Sequence, residues 1–186
     1  MRLIPNLVYT MTVQPSPDSA YASQVVEGVT PTMTDPWPVT LSGKIPVSGT
    51  LYGADGKPVA NAVVQAVGTA ESASVGVAVG PTDSDGRFRL LVDGGTYDLE
   101  VAPPDGSLYP RWALEGVAVG NSEAATDIHL PPAIRIAGRV RGPDGRAVAG
   151  VDVRAYLRSQ AGFGRLRGQA LSMADGSFSL LLASPP

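Results

Sequence analysis

Two stretches of the sequence predict its fold: VSGTLYGADGKPVANAVVQAV at residues 47–67 and TDSDGRFRLLVDGGTYDLEV at residues 82–101. Short apolar runs alternate with polar residues, and Asp-Gly and Gly-Gly pairs, which favour tight turns, separate the runs. Tyr97, Leu99 and Val101 recur at every second position, which is the period of a strand with one buried face. No window of the sequence has a helical period with caps, so these stretches predict short β-strands joined by turns.

The sequence around these two stretches predicts further strands of the same kind. Gly and Pro are numerous, with 22 and 17 residues, and they separate short Val-rich runs. Seven strands in about 88 residues are typical of a β-sandwich. The predicted strands are residues 47–53, 61–67, 74–79, 87–92, 97–101, 111–119 and 126–130.

The pattern repeats along the chain with a period near 90 residues. IAGRVRGPDGRAVAGVDVRAY at residues 136–156 and SMADGSFSLLL at residues 172–182 match the first two stretches at offsets of 89 and 90 residues. Upstream, Tyr9 falls on Tyr97 at an offset of 88 residues. A period of this length is too long for a solenoid unit and is typical of small domains in a row.

The repeat predicts three segments. Residues 1–43 form the C-terminal half of a repeat, residues 44–131 a complete sandwich, and residues 132–186 the N-terminal half of a further repeat. The first segment is therefore interpreted as repeat rather than signal peptide, although Ala20-Tyr21-Ala22 imitates a cleavage site. The halves are either pieces of a longer reading frame or partners that pair within one chain or between chains, as in strand exchange. We expect residues 44–131 to fold alone.

The quoted stretches resemble the carboxypeptidase regulatory-like domain, and the resemblance covers nearly the whole chain. It implies a transthyretin-like or Ig-like fold class: all-β, with tandem seven-stranded Greek-key β-sandwiches, in the group of carbohydrate-binding-like folds. Such domains are accessory modules of secreted or cell-surface bacterial proteins, often in tandem beside enzymes, adhesins or transporters. Residues 159–168, rich in Gly and Arg, depart from the matching stretch of the complete copy.

The composition of the chain excludes several kinds of functional site. The chain has no Cys, which excludes disulfides, thiolate metal sites and a thiol nucleophile. Residues 1–132 carry 6 basic and 14 acidic residues (net −8), and residues 133–186 carry 8 basic and 3 acidic (net +5), which sum to the net charge of −3. We interpret the basic segment as a solvated face rather than a nucleic-acid site. No apolar run approaches the length of a membrane span, and no cofactor is expected.

Few residues are candidates for a site. The only histidine, His129, lacks the partners that catalysis or zinc binding needs. Asp83-Ser84-Asp85-Gly86 resembles the start of a calcium loop but lacks the distal Glu, so a turn is the prediction. Trp112 and Tyr109 lie close in sequence and could stack on a sugar ring. Tyr109 recurs as Tyr21, which favours a structural role, whereas Trp112 does not recur.

The sequence therefore predicts a non-catalytic structural or binding module of a larger bacterial protein outside the cytoplasm. As a spacer or adhesion-type domain, it would hold a functional head away from a surface. The alternatives are a carbohydrate-binding module, with Trp112 and Tyr109 as ligand residues, and an accessory domain of a hydrolase or peptidase encoded elsewhere in the parent chain. The predicted partners are a carbohydrate or a protein, with no nucleic acid and no membrane insertion.

Overall fold

A computed structural model describes residues 4, 7–16, 18–30, 38–69, 77–159 and 162–184. Every helix or strand within these residues is a β-strand. The first hairpin consists of β1 (Tyr9–Val13) and β2 (Gln24–Val29). The complete sandwich consists of β3 (Ile45–Tyr52), β4 (Val63–Gly68), β5 (Val77–Pro81), β6 (Arg87–Val92), β7 (Gly95–Ala102), β8 (Trp112–Val119), β9 (Ala124–Ala125) and β10 (Ile128–His129). The third strand set consists of β11 (Ala133–Arg139), β12 (Asp152–Ser159), β13 (Gly162–Leu171) and β14 (Ser177–Ala183).

The complete sandwich has two sheets. One sheet places β3 between β6 and the short strands β9 and β10, and the other has the order β5-β4-β7-β8. The chain crosses repeatedly between the sheets, so strands that are neighbours in sequence often lie in different layers. The predicted all-β sandwich fold is confirmed. The predicted strand 74–79 is observed as Val77–Pro81, and its predicted start lies outside the described residues.

The predicted last strand, 126–130, is divided into β9 and β10, which together occupy the position of a seventh strand. The Thr50 N–H donates to the Asp127 carboxylate at 2.8 Å, where a backbone carbonyl of a regular ladder would accept. The ladder resumes when the Leu130 N–H donates to the Tyr52 carbonyl at 2.8 Å. A side-chain acceptor therefore interrupts the strand without leaving the amide of β3 unsatisfied.

The core lies between the two sheets and follows the alternation in the sequence. Every second residue of β6 and most of the apolar residues of β7 point inward, as the period-two pattern predicts. The largest fully buried side chains of this core are Tyr97, Leu51, Leu99, Ile128, Val47, Val64 and Val101.

A glycine on β3 allows the seventh strand to approach. A Cβ atom at Gly49 would overlap the carbonyl oxygen of Thr126, and this backbone oxygen cannot move without disrupting the strand. The amide of Thr126 in turn donates to the Ser48 carbonyl at 2.8 Å. Gly49 is therefore required for close packing rather than for an unusual backbone angle.

The first hairpin and the third strand set reproduce the registers of the complete sandwich. Met11 pairs with Val26 in β1–β2, as Leu99 pairs with Leu114 in β7–β8, and a register shift precedes both pairs. Gly28 and Gly116 occupy the corresponding irregularities with φ of 73° and 72°. Likewise, β11–β14 repeats β3–β6 at the sequence offsets of 89 and 90 residues. The β12–β13 pair repeats β4–β5 at these offsets from Asp152 to Ala155, and register shifts follow at Tyr156. The boundaries of the three predicted segments stay predictions.

The direction of the seventh strand determines where the chain enters and where it leaves the complete sandwich. β9 and β10 run parallel to β3, with Val47 opposite Ala124 and Tyr52 opposite His129. The chain consequently enters at the Ile45 end and leaves at the Tyr52 end. Eight residues of β3 separate these ends by roughly 27 Å at about 3.4 Å per residue.

Candidate functional site

Three carboxylates line the outer face of the β5-β4-β7-β8 sheet. Tyr97, Leu99 and Val101 are buried in the core, so the intervening Asp98 and Glu100 lie on the opposite face of β7. Glu115 of β8 joins them, and we call these three residues the acidic face. The Asp98 side chain is only 11% exposed and accepts the Gly116 N–H at 2.8 Å.

Two arginines of β13 lie on this acidic face. Arg165 forms an ion pair with Asp98, and its guanidinium lies 3.2 Å from Glu115 and 3.5 Å from Glu100. Arg167 lies 3.8 Å from Glu115. The side chains of Arg165 and Asp98 are 31% and 11% exposed, so water screens this pair less than it screens ordinary surface pairs. The arrangement binds the β12–β13 hairpin to the complete sandwich, and we call it the junction.

The structure places Trp112 at the edge of this junction. Trp112 packs partly against the core, and the Arg167 guanidinium lies over its ring, 5.6 Å from the centroid. A shallow cleft beside it is lined by Arg111, Trp112, Glu100 and both junction arginines. A cation over the face of an indole is attracted by the ring quadrupole, so this contact adds to the junction.

Tyr109 lies in different surroundings, on the Asp-Gly turn that follows β3. Its ring occupies the space that a Cβ atom at Gly53 would fill, and its hydroxyl donates to the Asp55 carboxylate at 3.2 Å. Burial and the neighbouring Asp55 raise the pKa of the Tyr109 phenol. The backbone N–H of Lys57 lowers the pKa of Asp55, and the Tyr109 hydroxyl adds to this. Both predicted ligand residues thus have structural partners, and their role in ligand binding stays a prediction.

The remaining candidates have ordinary structural surroundings. His129 stacks on Tyr52 with ring centroids 5.0 Å apart. Asp83 accepts the N–H groups of Asp85 and Arg87 at 2.9 and 2.8 Å, as an Asp in a turn does. Within the described ranges, no group of three or more His, Asp or Glu side chains could hold a metal ion. No helix in the described part of the chain is long and apolar enough to cross a membrane.

Sequence reasoning missed a buried hydroxyl that both later units share. Thr82 accepts the Ala62 N–H at 2.9 Å and donates to the Val59 carbonyl at 2.7 Å. Ser172 occupies the corresponding position and makes the same two bonds to Val151 and Val148. The available signal was a hydroxyl residue at an offset of 90 residues, directly before each Asp-Gly turn.

The first hairpin contacts the complete sandwich at positions that correspond to those of the cleft beside Trp112. A cleft there is lined by residues of the first hairpin, among them Gln14 and Ser23, and by Val77 of β5. These positions correspond to Ala102, Arg111 and Arg167 at offsets of 88 and 90 residues, and those three residues line the cleft beside Trp112. The Ser23 N–H also donates to Asp93 at 3.3 Å. At both contacts, a hairpin of the β7–β8 kind meets a strand that corresponds to β5. Ion pairs are prominent at the contact that β13 makes.

The chain matches no protein-family model and no curated protein sequence. Among solved structures, it is similar to a candidate carbohydrate-binding protein from Bacteroides uniformis, with TM-score 0.37 and 11% identity over 72% of this chain. It is also similar to a streptococcal ancillary pilin, with TM-score 0.37 and 14% identity over 97% of this chain. A third similar structure is the shaft pilin of Lactobacillus rhamnosus GG, with TM-score 0.34 and 12% identity. The match covers 76% of this chain and 83% of that pilin. The chain spans 54% and 64% of the length of the first two proteins. Likeness at this level carries no argument about activity or partners.

Proposed function

We propose that this chain is a non-catalytic spacer, a structural module of a larger bacterial cell-surface or secreted protein in which sandwich units are joined end to end. The observation that carries the proposal is the parallel pairing of β9 and β10 with β3, which puts the two connections of the sandwich at opposite ends. A unit with this topology adds its length to a row instead of folding the row back.

The junction supports the same proposal. Two linked domains without a substantial interface move relative to each other by default. Here Arg165 and Arg167 attach β13 to the acidic face of the preceding unit. The two units are therefore held together by ion pairs as well as by the covalent chain. The location outside the cytoplasm is supported by the resemblance of the sequence to carboxypeptidase regulatory-like domains.

Small-angle X-ray scattering tests the spacer. A compact chain of this length has a radius of gyration of about 16 Å. A row made of a first hairpin of roughly 20 Å and two strand sets of roughly 27 Å each gives about 21 Å. We expect the larger value for dilute, monomeric protein. A value near that of a compact globule would contradict the proposal.

A second candidate function is carbohydrate binding at Trp112, and it is favoured by the cleft in which this aromatic ring lies beside Glu100 and arginine side chains. Aromatic walls with a few polar groups are typical of small-ligand sites. Binding on a glycan array that is lost in Trp112→Ala, with Tyr21→Ala as the control at an exposed aromatic residue outside this cleft, would support this function. An array without hits would exclude it.

A further inference from the structure

We propose that two recurring surface hollows, one on the complete sandwich and one on the third strand set, bind the acidic groups of a glycan, either uronate carboxylates or sulfate esters. A spacer needs no ligand, and neither hollow is lined by Trp112 or Tyr109, so these sites add to the functions proposed above. The experiment measures binding, so it can fail while the monomer still has the dimensions of a spacer.

The first hollow lies on the outer face of the complete sandwich, where β3 pairs with β6. Arg87 and Arg89 are exposed on β6, which buries every second residue. They lie directly opposite Thr50 and Ser48 of β3, and the Ser48 hydroxyl donates to Glu123 at 2.6 Å. The two arginines and two hydroxyl residues line a hollow of about 370 Å³. This volume is within the range of small-ligand sites.

The second hollow lies at the corresponding place on the third strand set, where β11 pairs with β14. Every residue that lines the first hollow has a counterpart that lines the second, at the repeat offsets of 89 and 90 residues. The second hollow has a volume of about 460 Å³, and its lining includes Arg135, Arg139, Ser177 and Ser179. The Arg135 Nε–H donates to the Ser179 hydroxyl at 2.6 Å. The same surface feature therefore occurs in two units of the chain.

The two hollows hold the same chemical groups on exchanged strands. The first has its arginines on β6 and its hydroxyls on β3. The second has its arginines on β11, which corresponds to β3, and its hydroxyls on β14, which corresponds to β6. The opposed pair of Thr50 and Arg87 is thus replaced by Arg139 and Ser177. The exchange indicates that the set of groups in the hollow matters, rather than the position of each residue.

The groups in each hollow determine the class of ligand. A guanidinium presents a planar set of N–H donors that matches a carboxylate or a sulfate, and each such hydrogen bond is charge-assisted. Serine and threonine hydroxyls donate to and accept from the hydroxyls of a sugar. The aromatic residues at the hollows, Phe88 and Phe178, share strand faces with the buried Leu90 and Leu180. Among the described residues, neither hollow thus has an outward ring for stacking a base, so an acidic glycan fits better than a nucleic acid.

Carboxylates near the hollows predict which one binds more tightly. Asp83 lines the first hollow, and Asp85 forms an ion pair with Arg87 at 2.6 Å. Met173 takes the place of Asp83 in the second hollow, whereas Asp175, the counterpart of Asp85, accepts a serine hydroxyl at 2.6 Å. A carboxylate in the lining repels an anionic ligand. We therefore expect the second hollow to bind more tightly.

Titration with matched polymers tests the class of ligand. Full-length protein is titrated in a calorimeter with dextran sulfate and with neutral dextran, which share one sugar backbone. Polygalacturonate, which carries carboxylates, distinguishes the two sources of negative charge. We expect binding of at least one acidic glycan and no binding of dextran. Binding of neither acidic glycan, or equal binding of dextran or of single-stranded DNA, would overturn the inference.

Double variants with the same loss of charge locate the site. Arg135→Ala with Arg139→Ala removes both arginines of the second hollow. Arg146→Ala with Arg158→Ala removes the same charge from exposed positions outside it. We expect the first pair to weaken binding of the acidic glycan about tenfold or more, and the control pair less than about threefold. Equal losses in the two double variants would overturn the inference.

Nuclear magnetic resonance of the natural protein provides a test that does not depend on how the variants fold. On addition of the bound glycan, amide shifts of residues 135–139 and 177–179 should change more than those of residues 152–158. Larger changes at residues 152–158 would overturn the inference. Arg87→Ala with Arg89→Ala should weaken binding less than the variant of the second hollow, and a larger loss would contradict the expected order of the two hollows.

Discussion

Replacing Arg165 with alanine removes one guanidinium from three carboxylates at once and tests whether the junction holds the β12–β13 hairpin in place. Arg165 contacts Asp98, Glu100 and Glu115 of the preceding sandwich. Without it, Asp98 is left at a largely buried site with only the Gly116 N–H as a described donor.

Most of the stability that the hairpin loses comes from the ion pair with Asp98. A hydrogen bond between charged groups contributes about 1.5–3 kcal/mol, and the value is greatest where the remaining partner stays buried. Glu100 and Glu115 are 41% and 63% exposed, so each of these pairs contributes about 0.5 kcal/mol or less after screening. We therefore expect Arg165→Ala to destabilise the docked hairpin by about 2 kcal/mol, which is about a 30-fold change in its local opening equilibrium.

Amide hydrogen exchange of residues 164–168 measures this opening directly, and we expect exchange there to accelerate about 30-fold. Arg146→Ala is the matched control, because it removes the same charge from a pair with Asp144 in which the arginine is 88% exposed. Its effect should stay within about 0.5 kcal/mol. A double-mutant cycle with Asp98→Asn should give a coupling energy of about 1–2 kcal/mol.

Arg165 does not hold the β12–β13 hairpin in place if exchange of residues 164–168 is the same in Arg165→Ala and Arg146→Ala, or if the cycle with Asp98→Asn shows no coupling. Salt adds a further check. Since Asp98 is buried, 1 M salt should remove less than half of the difference between the two variants, whereas it should abolish a purely superficial effect.

Two further predictions concern the complete sandwich. Gly49→Ala places a Cβ atom against the Thr126 carbonyl, so we expect a loss of more than about 3 kcal/mol in denaturant unfolding; Gly120→Ala, which meets nothing within 4 Å, should cost far less. An equal cost would contradict the close packing of the seventh strand. Burial, and secondly the charge of Asp93, raises the pKa of Tyr97 above its ordinary value of 10.0. The folded state keeps a proton that the unfolded chain releases, so stability should fall as pH rises past 10. Tyr97→Phe should lessen that fall, and an unchanged pH dependence would refute the assignment.

Several features of the fold could be predicted from the sequence because their causes are local. The alternation in β6 and β7 identifies the buried residues, and the Asp-Gly pairs identify the turns. The repeat offsets predicted which strands correspond, and the observed registers agree with them except beyond Ala155 of β12. The prediction of a structural role for Tyr109 rested on its recurrence as Tyr21, and the bond to Asp55 accords with it.

The junction could not be predicted in the same way. Arg165 and Asp98 are 67 residues apart in sequence, and nothing local indicates that one lies on the other. The Gly- and Arg-rich stretch 159–168 was recognisable only as a departure from the repeat. Trp112 was singled out as a non-recurring aromatic, but the cation over its ring comes from the neighbouring unit.

The amino-acid sequence is enough to predict the strands, their inward faces, the turns and the repeat, because these follow from residue periods and backbone preferences within a few positions. The sequence does not predict that the seventh strand runs parallel to β3, that Asp127 divides it, or that Arg165 lies on the acidic face. These features depend on which surfaces meet across the fold. Pairing between distant strands and ion pairs between units are set by the packing of whole sheets, which no short window of sequence contains.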